Sequence, residues 1–225
     1  MKTLRSIILY LLIPAVTLFL MMTAIRLLIQ PLFVTIEYSM PGFPPDPYGF
    51  TKEERLHWAT LSVNYLVNDA DISFLGDLRF ADGSPVFNQR ELIHMFDVKV
   101  LVQLMIRAWI GLGVFIFLSG VWAWRAGWLA EFWLAISRAG WATLAVVALI
   151  LLGVAISFSA LFTGFHKIFF EGDSWLFLHS DTLIRLFPLR FWQDAFILMG
   201  VLTIIGGLLA ALLGKRLARN ALAKK

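Results

Sequence analysis

Apolar residues along this chain are gathered into four stretches of about 20 residues or more that carry almost no charge. A helix needs about 20 apolar residues to cross the roughly 30 Å of hydrocarbon in a bilayer. The pattern therefore predicts an all-α membrane protein with four transmembrane helices. They are expected over residues 7–29, 100–124, 141–163 and 195–214.

The first stretch invites comparison with a signal peptide, because Lys2 and Arg5 precede it. A signal peptide has an apolar core of about 7–15 residues and a small-x-small cleavage site. The run found here is about twice that length, and no such site follows it. We expect an uncleaved first helix.

Between the first two stretches the sequence predicts shorter elements. Thr51 and Glu54 form a capping box, which begins a short helix that runs to about Asn68. The turn-rich residues 69–84 are expected to hold a short strand around residues 74–80. Four prolines lie within residues 41–47 and forbid a regular helix there.

A second capping box, formed by Asn88 and Glu91, begins the helix that enters the membrane as the second span. No stop signal follows before Gly127. We therefore expect this helix to project from the membrane by two to three turns before it crosses.

Composition agrees with a membrane protein. Hydrophobic residues make up 60% of the chain and charged residues 15%, against about 45–50% and about 25% in soluble domains. A soluble enzyme and a nucleic-acid-binding protein are excluded, and so is a β-barrel, whose strands alternate over about 10 residues. The chain has no cysteine, which removes disulfides, thiolate nucleophiles and cysteine metal sites.

Basic residues predict the orientation. The N-terminus, the link between the second and third spans and the C-terminus together hold nine basic residues and one acidic residue. The loop of residues 30–99 holds five basic and ten acidic residues. We expect both termini in the cytoplasm. One membrane domain then has outer loops at 30–99 and 164–194, an inner loop at 125–140 and a basic cytoplasmic tail at 215–225.

The outer loops contain every histidine of the chain, so chemistry is expected on the outer face. These are His57, His94, His166 and His179. The loop of residues 164–194 is also dense in aromatic residues, among which titratable residues are mixed. An aromatic belt at the membrane interface explains part of this pattern, and the mixture suits a substrate that carries lipid.

His94 lies between two carboxylates on one face of the projecting helix, since Glu91 precedes it by one turn and Asp97 follows it by one turn. A carboxylate in that position can fix the tautomer of the imidazole and raise its basicity. The alternative is an ordinary solvated, charge-paired helix start.

His166 lies at the outer end of the third span, where the apolar run ends. Taken alone, it could be an interfacial histidine with its tip in water. Two histidines at the outer ends of neighbouring helices form a better candidate site than either does alone.

Two arginines fall inside the predicted spans. Arg26 is near the outer end of the first and can extend toward the interface, whereas Arg107 lies about two turns into the second. An intramembrane charge usually faces a polar cavity or a partner. We hypothesise that Arg107 lines a cavity below His94 and binds a carbonyl, phosphate or carboxylate.

Other catalytic patterns fit less well. The chain has neither a Gly-x-Ser-x-Gly elbow nor a His-Glu-x-x-His motif. A zinc site built from His94, His166 and Asp173 would lack any pair of ligands close in sequence. We therefore predict no metal and no cofactor.

The two histidine blocks resemble those of the bacterial lipoprotein intramolecular transacylase family. The first block is Glu91–Lys99, in which His94 is followed by Met-Phe-Asp-Val-Lys. The second is Phe165–Phe170, which contains the second histidine and is followed by Trp175 and by Asp181–Pro188. The resemblance spans the chain in topology and length and is specific in these blocks.

The resemblance implies a bacterial cytoplasmic-membrane acyltransferase. It would move the sn-2 acyl chain of a lipoprotein's diacylglyceryl group to the α-amine of the N-terminal cysteine, which gives a lyso-form lipoprotein. Its partners would be a diacylated lipoprotein and membrane lipids, with no nucleic acid. His94 and His166 would be the catalytic pair. Residues expected to bind substrate or support the pair are Glu91, Asp97, Lys99, Arg107, Phe165 and Trp175.

The chemistry agrees with that reaction. The attacking α-amine has a reference pKa of about 7.7–8.0 and must lose a proton, which a histidine with a reference pKa of about 6.5 can accept. The second histidine can stabilise the oxyanion. The order of these roles, and a transient acyl-histidine, stay open. Two alternatives also stay open: a metal-assisted hydrolase acting on lipid or peptide, and a non-catalytic lipoprotein-binding membrane protein.

Overall fold

The computed structural model describes residues 2–170 and 172–223, and within them the chain is almost entirely helical. The helices are α1 (Lys2–Leu28), α2 (Pro31–Glu37), α3 (Lys52–Val67), α4 (Ser73–Gly76), α5 (Gln89–Arg125), α6 (Leu129–Phe169), α7 (Thr182–Leu186) and α8 (Leu189–Ala223). Helices α1, α5, α6 and α8 are long and apolar enough to cross a membrane. The predicted fold class is confirmed.

Both predicted capping boxes are present. The Thr51 hydroxyl accepts from the Glu54 backbone N–H at 3.1 Å, and the Thr51 N–H donates to Glu54 Oε2 at 2.8 Å. At the start of α5 the Asn88 side chain accepts from the Glu91 N–H at 3.0 Å, and the Asn88 N–H donates to Glu91 Oε2 at 2.8 Å. Each box supplies partners for N–H groups that a helix start leaves free.

The short strand expected around residues 74–80 is wrong. Residues Ser73–Gly76 form α4 instead, and within the described ranges the only β pairing is an isolated bridge between Arg79 and Pro85. A turn at Gly83, whose φ is +83°, separates these two residues. Helix α4 ends at Gly76 and α5 begins at Gln89, which leaves few residues on either side of the turn for a ladder to extend.

The inner loop is also shorter than predicted. We expected a loop over residues 125–140, but α5 ends at Arg125 and α6 begins at Leu129. Gly127 has a φ of +77°, a conformation that suits glycine and ends α5. The residues from Leu129 onward are good helix formers, and the charges among them do not interrupt the helix.

Helix α6 is interrupted at Ser157, which has extended backbone angles of φ −160° and ψ 95°. The Ser157 hydroxyl accepts a hydrogen bond from the Ala160 N–H at 3.2 Å. This bond caps a second helical segment, which ends at Phe169 and carries His166.

The chain folds into two compact units. The first contains α1 as far as Ile25, the segment Ile106–Ala155, and α8 from Ile197 onward. Its core includes Leu12 and Trp128. Helices α6 and α8 approach closely: a Cβ added to Gly140 would lie 2.4 Å from the Ala211 nitrogen. Small residues at such contacts are typical of packed membrane helices.

The second unit contains Arg26–Met105 and Ile156–Phe196. Buried side chains from α2 and α7 meet here, and the Tyr38 hydroxyl donates to the Leu186 carbonyl at 2.5 Å. The buried Arg55 guanidinium lies 5.0 Å from the centre of the Tyr38 ring. Burial of this charge is offset in part by the aromatic face.

The proline-rich residues 41–47 are tied to this unit at two points. Arg55 Nη1 donates to the Pro44 carbonyl at 2.7 Å. Arg185 on α7 forms an ion pair with Asp46, with Nη2 and Oδ2 2.8 Å apart. The segment therefore acts as a strut between α3 and α7.

A pair of carboxyl groups lies where α2 meets the start of α8. Glu37 is buried, and its carboxyl hydrogen-bonds that of Asp194, which also accepts from Arg190 Nε. Burial, and next to it the hydrogen bond to Asp194, together raise the pKa of Glu37 from its usual value to about 7. Glu37 therefore keeps its proton to a higher pH than an ordinary glutamic acid does.

This pair predicts a pH-dependent stability. Because the folded-state pKa of Glu37 is raised above its unfolded value of 4.5, the stability that Glu37 contributes is full below pH 4.5 and is lost as pH rises through about 7. We expect the thermal midpoint to fall from about pH 5 to about pH 8 more steeply in the wild type than in Glu37→Gln. Thermal unfolding in detergent measures this. The exposed Glu53→Gln is the control, and parallel curves for the wild type and Glu37→Gln would contradict the assignment.

Candidate active site

His94 projects from the first turns of α5, one turn after the Asn88–Glu91 capping box. The histidine is 8% exposed, and its Nδ1 is sealed from solvent without a hydrogen-bond partner. The rings of Phe170 and Phe177 pack edge-on against the imidazole, with centroids 5.0 and 5.3 Å away. Nε2 is therefore the ring atom that is left to contact a substrate.

His166 lies in the last turn of α6 and is half-buried. Its Nδ1 is 2.8 Å from the Phe162 carbonyl oxygen, four residues earlier in the same helix. In a neutral imidazole the nitrogen that faces a carbonyl carries the hydrogen. Nδ1–H then donates to Phe162, and Nε2 keeps its lone pair.

The two imidazoles lie side by side. Their centroids are 6.0 Å apart and their planes differ by 21°. The rings of Trp175 and Phe165 contact His166 at 5.0 and 5.6 Å. The structure thus brings together two of the predicted supporting residues and both histidines, in a setting of aromatic rings rather than charges.

Glu91 supports this site in a way that differs from our prediction. The helical spacing suggested that Glu91 orients the imidazole of His94. Its carboxylate, 1% exposed, instead accepts from the Asn88 N–H at 2.8 Å and from the Leu183 N–H at 2.6 Å. Both oxygens already have backbone donors, so Glu91 joins the start of α5 to α7.

Asp97 and Lys99 lie farther along α5. Among the described hydrogen bonds, none joins Asp97 to an imidazole. Lys99 Nζ donates to Asn68 Oδ1 at 3.0 Å and to the Ala70 carbonyl, and it lies 4.1 Å above the Tyr65 ring. Lys99 therefore ties α5 to the end of α3, which is a structural role.

The two arginines of the spans differ in their settings. Arg26 Nη1 donates to the Ile29 carbonyl at 3.1 Å, just beyond the end of α1. Arg107 belongs to the first unit and has an exposed side chain. Its part in substrate binding stays a prediction.

Sequence reasoning missed several residues that shape the site. Phe177 and Phe170 were not predicted to be site residues, yet both contact His94. The Phe162 carbonyl was missed too, although a histidine four residues downstream on a helix can reach such a group. Among the described residues, no group of three or more His, Asp or Glu side chains could hold a metal ion.

Comparison with known proteins decides the family. The model of the family described as "Lipoprotein intramolecular transacylase Lit" matches residues 8–192.

The chain belongs to this family.

The predicted resemblance is thereby confirmed, and the family name supports acyltransferase activity. A similar curated protein, an uncharacterized protein of Aquifex aeolicus (strain VF5), is 30% identical over 225 residues, with 98% of this chain and 99% of that protein covered.

Solved structures of a Lit protein share the fold. The lipoprotein intramolecular transacylase Lit of Bacillus cereus matches with a TM-score of 0.73 at 18% identity, with 100% of this chain and 98% of that chain covered. A form of that protein with one histidine replaced by arginine matches with a TM-score of 0.71 at 17% identity, with 100% and 96% covered. These likenesses show that this chain has the Lit membrane fold.

The position of Glu91 yields a prediction. Glu91→Ala leaves the buried Leu183 N–H without its acceptor, which costs about 1–3 kcal/mol. Glu91→Gln keeps an acceptor oxygen in the same place and should cost less. Thermal unfolding in detergent measures both changes, with the exposed Glu53→Ala as the matched control. A midpoint for Glu91→Ala equal to that of the wild type would contradict the bridging role.

Proposed function

We propose that this protein moves the sn-2 acyl chain of a lipoprotein's diacylglyceryl group to the α-amine of the N-terminal cysteine, which gives the lyso-form lipoprotein. The observation that carries the proposal is the near-parallel pair of imidazoles, 6.0 Å apart and lined by aromatic rings, in a chain of the transacylase family. We place the protein in the bacterial cytoplasmic membrane with both termini in the cytoplasm and the histidines on the outer face. The distribution of basic residues supports this orientation.

His166 serves as the base. Its Nδ1–H is committed to the Phe162 carbonyl, so Nε2 offers a lone pair to the proton of the attacking amine. The amine nitrogen bonds to the ester carbonyl carbon and gives a tetrahedral intermediate. The same Nε2–H then returns the proton to the glyceryl oxygen as the carbon–oxygen bond breaks.

His94 serves as the donor to the oxyanion. A buried N–H without an acceptor is rarer than a buried acceptor without a donor, so we place the proton of His94 on Nε2 rather than on the sealed Nδ1. Nε2–H can then donate to the oxygen on which negative charge develops. An ester and an amine become an amide and an alcohol, no water is consumed, and no acyl-histidine is required.

The amine and the ester belong to one substrate molecule. Proximity then comes from folding the lipid headgroup into the site rather than from binding a second reactant. The aromatic rings about the histidines contribute by keeping water from the ester. The lack of cysteine in the chain agrees with this route, because no thiolate nucleophile is needed.

Mass spectrometry of the N-terminal lipopeptide tests the reaction. Purified protein is incubated with a diacylated lipoprotein in detergent that contains a chelator. A product of unchanged mass with one acyl chain on the amine is expected. Loss of one acyl mass in a parallel reaction without chelator, absent when the chelator is present, would instead support a metal-assisted hydrolase. No product, with substrate binding retained, would support a non-catalytic lipoprotein-binding protein.

Glutamine substitutions test the division of roles. His94→Gln keeps an N–H donor and should lose less activity than His94→Ala, whose loss should be about 10²–10³-fold. His166→Gln has no basic nitrogen and should lose about 10²–10⁴-fold. Initial rates of amide formation measure these losses. If His166→Gln retained more activity than His94→Gln, the roles would be reversed.

If the aromatic rings beside the histidines exclude water, variants that lack one of these rings should form a hydrolysis product in addition to the transfer product. Trp175 contacts His166, and Phe177 contacts His94. Trp175→Ala and Phe177→Ala should admit water and divert part of the substrate to hydrolysis, seen as loss of one acyl mass. Trp124→Ala, an exposed tryptophan of the first unit, is the control. If both variants were slower yet gave transfer product alone, exclusion of water would not be the role of these rings.

A further inference from the structure

Residues 172–180 form a segment, here called the strap, that passes over both histidines. Trp175 contacts His166 at 5.0 Å and Phe177 contacts His94 at 5.3 Å. The strap backbone is held from two sides. Arg90 Nη1 donates to the Leu176 carbonyl at 3.0 Å, and the Leu178 N–H donates to Asp181 Oδ2 at 2.8 Å.

The strap also carries apolar side chains that the described residues leave largely exposed. Leu176 and Leu178 alternate with the two aromatic residues that touch the histidines, and they are 49% and 70% exposed. Single exposed leucines are ordinary on a protein surface, but several large apolar residues exposed together mark a site of contact with a partner or a membrane. These two leucines therefore require an explanation that the histidine site does not supply.

The neighbouring helix ends show what surrounds the strap. It follows α6, a membrane-spanning helix whose final residues include Ile168 and Phe169, 77% and 50% exposed. Leu189, the first residue of the spanning helix α8, is 62% exposed. Apolar residues at the ends of spanning helices lie at the membrane interface, and the strap is part of the short connection between two such ends.

Charged and polar residues lie close to Leu176 and Leu178. Lys167 and Arg90 are exposed near these leucines, and basic side chains at this depth can reach lipid phosphates. Asp173 and His179 are exposed within the strap itself. Charged groups so close to the leucines are compatible with shallow insertion and not with a segment that lies in the hydrocarbon.

We propose that the strap docks on the lipid bilayer, with Leu176 and Leu178 inserted at the boundary between headgroups and acyl chains. The leaflet is the one at which α6 ends. A shallow site of this kind is typical of interfacial segments that carry an apolar face and basic neighbours. This proposal concerns the protein's contact with lipid and does not depend on the acyl transfer.

Single thiols test the docking, since the chain has no cysteine of its own. Leu178→Cys is labelled with the fluorophore NBD and reconstituted into vesicles of phosphatidylethanolamine and phosphatidylglycerol. Ile168→Cys serves as the lipid reference, and the exposed Ala81→Cys serves as the aqueous reference. Leu176→Cys provides a second position should Leu178→Cys fail to give folded protein, as judged by its thermal midpoint.

Quenching separates the outcomes. We expect the label at Leu178 to be quenched by spin-labelled lipid as strongly as that at Ile168, and to be several-fold less accessible to iodide than that at Ala81. Quenching by iodide equal to that at Ala81, with none by spin-labelled lipid, would overturn the proposal. Protection from both quenchers would overturn it too, because it would show that protein, such as a second copy of the chain, covers the strap.

Discussion

The second unit depends on the two hydrogen bonds that a single buried carboxylate accepts. Glu91 caps α5 through the Asn88 N–H and reaches α7 through the Leu183 N–H. A buried carboxylate is tolerated only where donors replace its water. Because both donors belong to the backbone, the side chain fixes main-chain positions directly. His94, one turn beyond Glu91, is placed relative to α7 by this bond, and Asp181 at the N-terminal end of α7 holds the strap.

The site itself is built from rings rather than from charges. Phe170 and Phe177 pack against His94, and Trp175 packs against His166. The direction of the His166 imidazole is set by the Phe162 carbonyl, which faces its Nδ1. An acyl chain and an ester fit a lining of this kind, whereas a peptide hydrolysed by water does not need one.

Much of the fold could be predicted from signals within a few consecutive residues of the sequence. Thr51 and Asn88 predicted two helix starts because a capping box involves only four consecutive residues. The partner of Glu91 could not be predicted in this way, since Leu183 lies 92 residues away in sequence. The same limit explains Phe177, whose contact with His94 depends on the path of the strap. The charged residues within 125–140 led us to predict a loop there, but from Leu129 onward they lie on the continuous helix α6.

The bond between His166 and its own helix has a geometric consequence. The hydrogen bond from Nδ1 to a carbonyl one turn earlier fixes the orientation of the imidazole relative to its helix. The imidazole therefore rotates about the helix axis together with the last segment of α6. Each residue of an α-helix adds about 100° of rotation. Deleting one residue between the break at Ser157 and His166 would swing the base about a quarter of a turn away from His94. The length of this segment, and not only its composition, is therefore under chemical constraint.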